Sequence, residues 1–263
     1  MLFYRELAPP AELNHLVLSF WEFTARSETA APISHEIFPD GCISLTYRRN
    51  EKFGIHGFGT NFLNSRSVVY QVFDGDIFWG ARLSPAACAR VLGADPGKWE
   101  VYRWEGGAPA FDIFDDELLS DISARAVFEE AVSVYAAKFG SLGISREALD
   151  QKVLDAVAII EESRGEIRIS ASADELSLSV RQFERRFKKS AGLTPKQYAR
   201  ARRFRAAAAA LAEGEAVKWA DRAAEMGFAD QAHLAHEFSD LTGRSPVSFA
   251  KKVKKIDHGP LVK

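Results

Sequence analysis

Hydrophobic and polar positions change period along this chain. From Phe3 to about Glu105 the apolar residues come in short runs broken by turn formers, as in strands. His15–Phe23 is apolar and aromatic and predicts a buried strand. Cys42–Tyr47 follows the turn tripeptide Pro39-Asp40-Gly41 and predicts another. Val68–Val72 and Ile77–Leu83 flank Asp74-Gly75-Asp76 and predict a hairpin. Ser84–Leu92 predicts a short helix with Ser84 as N-cap, Pro85 at the first helical position and Gly93 as its stop. Gly106-Gly107-Ala108-Pro109 breaks the pattern. After the acidic run Phe111–Glu117, the period becomes helical over Leu118–Phe139.

The C-terminal part is helical throughout and contains a repeat. Val153–Ile160 starts a helix that closes near Gly165, and Ser170–Leu176 predicts a short one. After the turn Ser177-Leu178-Ser179, Val180–Ala191 predicts a helix whose Ser179 and Gln182 have capping-box spacing. Two helices joined by so short a turn make a helix-turn-helix. Phe183 and Phe187 lie four residues apart and point inward together, while Arg181, Glu184, Arg185 and Lys188 share another face. Phe183–Ala199 then recurs as Leu234–Ala250 at an offset of 51 residues, with Phe187 on Phe238, Gly192 on Gly243 and Pro195 on Pro246. In this second copy Ala220–Met226 is the first helix, Gly227-Phe228-Ala229 the turn and Asp230 the cap of Gln231–Thr242. Between the copies, Tyr198–Ala212 is a strong helix former, basic at its start and stopped at Gly214. A stiff helix of that length can hold two reading heads about one DNA turn, roughly 34 Å, apart.

Charge changes the picture next. The net charge of −2 hides an asymmetry: from Gln151 onward there are 21 Lys and Arg against 15 Asp and Glu, while residues 1–150 hold 13 against 21. A basic end on an acidic body is what a nucleic-acid-binding module joined to another domain presents. On the second helix of the first unit, Arg offers a fork to guanine, Gln pairs with adenine and Glu accepts from cytosine. Other chemistry finds little support. Cys42 and Cys88 are too few and too far apart for a disulfide framework or a zinc cluster, and read as small buried hydrophobes. His15, Glu22, His35, Glu36, Asp40, His56 and Arg82 have no ligand spacing and read as ordinary polar groups. The aromatics Trp21, Phe38, Phe58, Phe62, Phe73, Phe78, Trp79 and Trp99 read as core. No catalytic residue, cofactor site or metal site is expected. There is no spanning run and no secretory signal, so a cytoplasmic protein without membrane partners is expected.

These motifs carry a resemblance. Ser179, Phe183, Arg185, Phe187-Lys188, Gly192-Leu193-Thr194-Pro195, Tyr198 and Arg203-Phe204 carry it in the first unit. Gly227-Phe228-Ala229-Asp230-Gln231, His233-Leu234, Glu237-Phe238 and Gly243-Arg244-Ser245-Pro246 carry it in the second. From about Val153 to Lys252 the chain resembles the DNA-binding domain of the AraC/XylS family of bacterial transcription regulators. Tyr4 to Pro9, His35-Glu36, Phe38 to Cys42, Trp79-Gly80 and Arg82 to Pro85 resemble the sensor region of a subgroup of that family. The chain departs from the pattern at Ser177, where a turn Gly is usual, at Arg222, where an aliphatic is usual, and at His236, where an Arg is usual. The last departure makes the second head the weaker expected contact.

The resemblance implies an α+β fold: a β-rich sensor, effector or dimerisation domain over 1–105, a helical connector over 106–150, and an all-α DNA-binding domain over 151–255, with a tail over 256–263. Two helix-turn-helix units joined by one long helix would enter successive major grooves. By position, Arg181, Gln182, Glu184 and Arg185 are base or phosphate contacts of the first unit; Gln231, Ala232, Ala235 and His236 hold the corresponding face of the second. Arg185, Lys188, Lys189, Arg200 and Arg202 are the expected phosphate contacts. The implied partners are double-stranded operator DNA, RNA polymerase, and a small effector or a second copy at 1–105; the residues do not choose between the last two. The expected function is a sequence-specific transcriptional regulator. Its rivals are a DNA-targeted alkyl-transfer repair enzyme, which needs an activated Cys, and an RNA- or protein-binding module.

Overall fold

A computed structural model describes residues 1–29, 31–61, 63, 66–96, 113–212, 223–224, 227–253 and 256–258. The breaker at 106–109, the start of the acidic run, Phe62, Trp99, Arg222 and most of the helix expected over 220–226 lie outside the described residues. The N-terminal strands are β1 (Leu2–Leu7), β2 (Val17–Ala25), β3 (Ile33–Ile37), β4 (Ser44–Asn50), β5 (Ile55–Asn61), β6 (Val68–Val72) and β7 (Ile77–Leu83). With a C-terminal strand, β8 (Ile256–His258), they build a six-stranded sheet in the order β5-β4-β7-β2-β1-β8 and a two-stranded sheet of β3 and β6. The last strand, β8, pairs in parallel with β1, so part of the expected tail belongs to the sheet.

Side chains alternate between the faces of the large sheet. Phe20, Tyr47 and Trp79 leave one face and meet two helices, α2 (Asp116–Ser123) and α3 (Phe128–Ser141). Tyr135 stacks on Phe20 with ring centroids 6.0 Å apart and donates its hydroxyl to the Trp79 carbonyl. Trp21 and Phe23 leave the other face and pack with Val72 of the β3–β6 ribbon. The helical stretch expected over Leu118–Phe139 is therefore two helices, with a break at Ala124–Val127 that lets both Ile122 and Phe128 reach the core.

Two further expectations fail locally. β6 and β7 form no hairpin: β6 pairs with β3, and β7 lies between β4 and β2. The turn is real, with Gly75 at φ +86°, but Asp76 is fully buried. Its carboxylate accepts from Arg48 Nη2 at 2.8 Å, Asn50 Nδ2 at 2.8 Å and the Phe73 N–H at 2.8 Å. Those bonds lead β7 into the large sheet. Ser84 likewise caps no helix. It is buried and donates its N–H to Leu16, so residues 85–87 form a turn and α1 (Cys88–Leu92) starts later.

One cluster of buried residues runs from β2 through α3 into the C-terminal helices as far as Tyr198 and Ala199. A second gathers Phe204, Phe228, Leu234, Phe238 and Phe249.

Candidate nucleic-acid interface

The first unit comprises α4 (Gln151–Glu162), α5 (Ile169–Glu175) and α6 (Val180–Ala191). α6 begins as its spacing requires. Ser179 Oγ accepts from the Gln182 N–H at 3.3 Å, and Gln182 Oε1 accepts from the Ser179 N–H at 2.9 Å. It ends at Gly192 with φ +82°, whose N–H returns to the Lys188 carbonyl. Phe183 and Phe187 are buried edge to face, and Phe187 packs on Tyr198 with centroids 5.7 Å apart. The helix is thus fixed at both ends and along one side, which leaves its outer face rigid.

The second unit repeats this construction. The long helix α7 (Pro195–Ala212) serves both units and starts three residues before Tyr198, because Thr194 and Gln197 form another reciprocal cap. Ala223 and Ala224 are helical; α8 (Gln231–Thr242) is capped by Asp230 and ends at Gly243 with φ +68°; α9 (Pro246–Val253) follows. Phe238 packs on Phe249 at 5.1 Å, as Phe187 does on Tyr198. The offset of 51 holds from the cap onward. Just before the turn it is 50: the Leu178 N–H bonds to Ala173 and the Phe228 N–H to Ala223, each at 2.9 Å. Ser177, at φ +54°, matches Gly227, at φ +72°, so Ala229 is one extra turn residue in the second unit. Ser177 thus holds the left-handed conformation that Gly adopts more freely.

The expected contact residues divide into three groups. Arg181, Glu184, Arg185, Lys188 and Lys189 lie exposed on α6. Gln182 is exposed too, but its acceptor oxygen is committed to Ser179. On α8, Gln231, Ala232 and His236 are exposed and Ala235 is half-buried. Arg200 and Arg202 differ from expectation. Arg202 keeps 16% of its side chain exposed and donates Nη2 to Glu161 at 2.5 Å, so it braces α7 on α4 and is not presented to phosphate. Burial pushes its guanidinium down, but Tyr198 and Glu161 outweigh that and raise it. Arg200 donates Nε to Glu237 at 2.7 Å and Nη2 to Asp240 at 3.0 Å.

Sequence reasoning missed the contacts between the N-terminal domain and the two units. The Glu36 side chain is 2% exposed and accepts from Ser67 Oγ at 2.5 Å, Lys252 Nζ at 2.5 Å and Arg244 Nη1 at 2.6 Å. Burial pushes its carboxyl up, but those bonds outweigh it and hold it below its ordinary value. Phe38 packs on Phe204 and Phe249 at 6.1 and 4.8 Å. Gly41 lies against Tyr198 and Ala201. Glu6 bridges Arg82 to Arg205 of α7. By sequence Glu36 reads as an ordinary polar group and Phe38 as core; what marks them, Arg244, Lys252, Phe204 and Phe249, lies more than 160 residues away.

Cys42 and Cys88 are free and buried, and burial pushes both thiols well up, Cys88 to about 12. Among the described residues no cluster of His, Cys, Asp or Glu could hold a metal ion, and no helix is long and apolar enough to cross a membrane.

Residues 172–252 match the family HTH_18, a helix-turn-helix domain, and residues 5–102 match DUF6597, a domain of unknown function. Among solved structures, ToxT from Vibrio cholerae in its P21 form is similar at 13% identity and TM-score 0.43, over 88% of this chain and 96% of that one. Wild-type ToxT of strain SCE256 bound to an unsaturated fatty acid is similar at 12% identity and TM-score 0.41, over 98% and 97%. No curated protein sequence matches the chain.

Proposed function

Because the chain belongs to the AraC/XylS family of DNA-binding transcription regulators, we propose that it is a two-headed reader of duplex DNA whose first head supplies most of the charge. α6 carries Arg181, Arg185, Arg186, Lys188 and Lys189 against one acid, Glu184. α8 carries no Lys or Arg, and two acids. The observation that carries the reading is the exposed basic face of α6, held rigid by caps at both ends and by two buried phenylalanines. Arg181 and Arg185 are assigned to base edges or phosphate, Lys188 and Lys189 to phosphate, and Glu184 to a cytosine amine. Gln231, Ala232, Ala235 and His236 line the second head, which reads by hydrogen bonding and shape. Cytoplasmic operator DNA is the partner, RNA polymerase a further one, and no catalytic step is assigned. The N-terminal domain, docked on both units, is the regulatory element, through a small effector or a second copy.

Arg185→Ala tests this. Operator binding is expected to weaken by at least about 1 kcal/mol, with a shallower salt dependence if the lost contact is to phosphate. Unchanged affinity and unchanged salt dependence remove Arg185 from the interface.

A further inference from the structure

The two units share one ion pair with its charges exchanged. In the first, Arg186 of α6 donates Nη1 to Asp150 Oδ2, at the cap of α4, at 2.8 Å. In the second, Glu237 of α8 accepts from Arg200 of α7 at 2.7 Å. Glu237 is Arg186 shifted by 51 residues, the offset of the recognition helices. On the supporting helices the burial pattern matches at 51: Val153, Ala156 and Ile160 of α4 are buried as Phe204, Ala207 and Leu211 of α7 are, so Arg200 stands one residue before the counterpart of Asp150. Each recognition helix is therefore tied, within one residue of the same place, to the helix that supports it. The second tie has an extra arm, from Arg200 to Asp240 at 3.0 Å.

We propose that these pairs are positioning devices that set each recognition helix on its supporting helix, and that Arg200 acts on DNA binding through Glu237 and Asp240 and not as a phosphate ligand. This rests on the reading that the second head meets the duplex. The only acids of α8 are Glu237 and Asp240, and both lie on Arg200. Without Arg200, two carboxylates on a helix that lacks cations would oppose the phosphate backbone. The opposite polarity of the two ties also discourages mispairing. α8 docked on α4 would set Glu237 against Asp150, and α6 docked on Arg200 would set Arg186 against it.

The full chain is titrated with mixed-sequence duplex DNA of about 40 base pairs, long enough for several helical turns, over a range of salt. Arg200→Gln is expected to weaken binding roughly five- to tenfold while the slope of log affinity against log salt stays unchanged. In a Glu237→Gln/Asp240→Asn background the same substitution is expected to cost less than about twofold, since coupled residues are not additive. A cost equal in both backgrounds, with a slope reduced by about 0.9 for one lost phosphate, overturns the proposal and makes Arg200 a direct ligand. Hydrogen exchange without DNA provides a readout independent of binding. Amides of α8 should exchange about tenfold faster in Arg200→Gln, and those of α6 should not change. Unchanged α8 exchange also overturns the proposal. A wild-type chain that shows no salt-dependent binding refutes the two-headed reading instead, and the exchange result still decides the role of Arg200. If Arg200→Gln melts below the assay temperature, Arg200→Lys, which keeps the charge but lacks the separate Nε and Nη2 donors that reach Glu237 and Asp240, takes its place.

Discussion

Glu6 holds the β-rich domain to the long helix, and its removal has a calculable cost. Its side chain is 1% exposed. It accepts from Tyr4 at 2.6 Å and Arg82 at 3.0 Å, and also from Arg205 of α7. Burial alone would push its carboxyl up. Arg82 and Arg205 outweigh burial and bring it from 4.5 down to about 2. At about 1.4 kcal/mol per pH unit, that difference corresponds to about 3 kcal/mol of stability near neutrality. Breaking a buried pair by removing one partner independently suggests about 3–5 kcal/mol. A folded-state value below the unfolded one contributes stability above the unfolded pKa and loses it as pH falls through the folded one. The window is therefore about pH 4.5 down to about pH 2. Glu6→Gln is expected to lower the unfolding free energy in urea by about 3 kcal/mol near pH 7, with m unchanged. The gap between wild type and variant should shrink to roughly half by about pH 3. A gap below about 1 kcal/mol near pH 7, or one that does not change with pH, refutes the reasoning.

Other perturbations probe the remaining joints. Glu36→Gln leaves Arg244 and Lys252 without their carboxylate, so α9 is expected to be cut faster in limited proteolysis while α6 is not; equal rates in both helices would oppose this. Ser179→Ala removes half of a reciprocal cap and should cost about 1 kcal/mol by urea unfolding, with Ser179→Asp recovering most of it. Gly165→Ala would bring a methyl within 2.1 Å of the Ala199 carbonyl oxygen at φ +82°, and should lower stability by more than about 3 kcal/mol, read by thermal melting.

What the chain shows without coordinates is what is settled within a few residues. The Ser179–Gln182 cap, the Gly192 and Gly243 stops and the inward Phe183 and Phe187 each depend on neighbours three to five positions away. What fails depends on distant partners. Asp76 looks like a solvent turn residue until Arg48 and Asn50, more than twenty residues earlier, bury it. Arg200 and Arg202 look like free cations because Glu237 and Glu161 lie 37 and 41 residues away. A basic run predicts the sign of a surface. It does not say which of its charges are already neutralised. The extra turn residue Ala229 is hidden for a related reason: both copies contain a short turn, and only the hydrogen bonds to Ala173 and Ala223 reveal the change of offset.

One short segment meets both copies of the duplicated unit, and it does so at equivalent places. Gly41 lies on Tyr198 and Ala201 of the first copy. Phe38 and Glu36 lie on Phe249 and Lys252 of the second, which are the same two positions shifted by 51. The chemistry at those positions has diverged. Ala201 is small and apolar beneath a glycine, where Lys252 is cationic beside a buried carboxylate. Arg244 similarly stands where the first copy has the buried Leu193. At this segment, among the described residues, the first copy is thus fastened by contact, while the second is fastened by ions as well. Apolar contact persists in salt, whereas the partly exposed Arg244 and Lys252 pairs weaken. A displacement of the Glu36–Gly41 segment would therefore reach both heads together. A rise in ionic strength or the loss of the Glu36 charge would loosen the second head first.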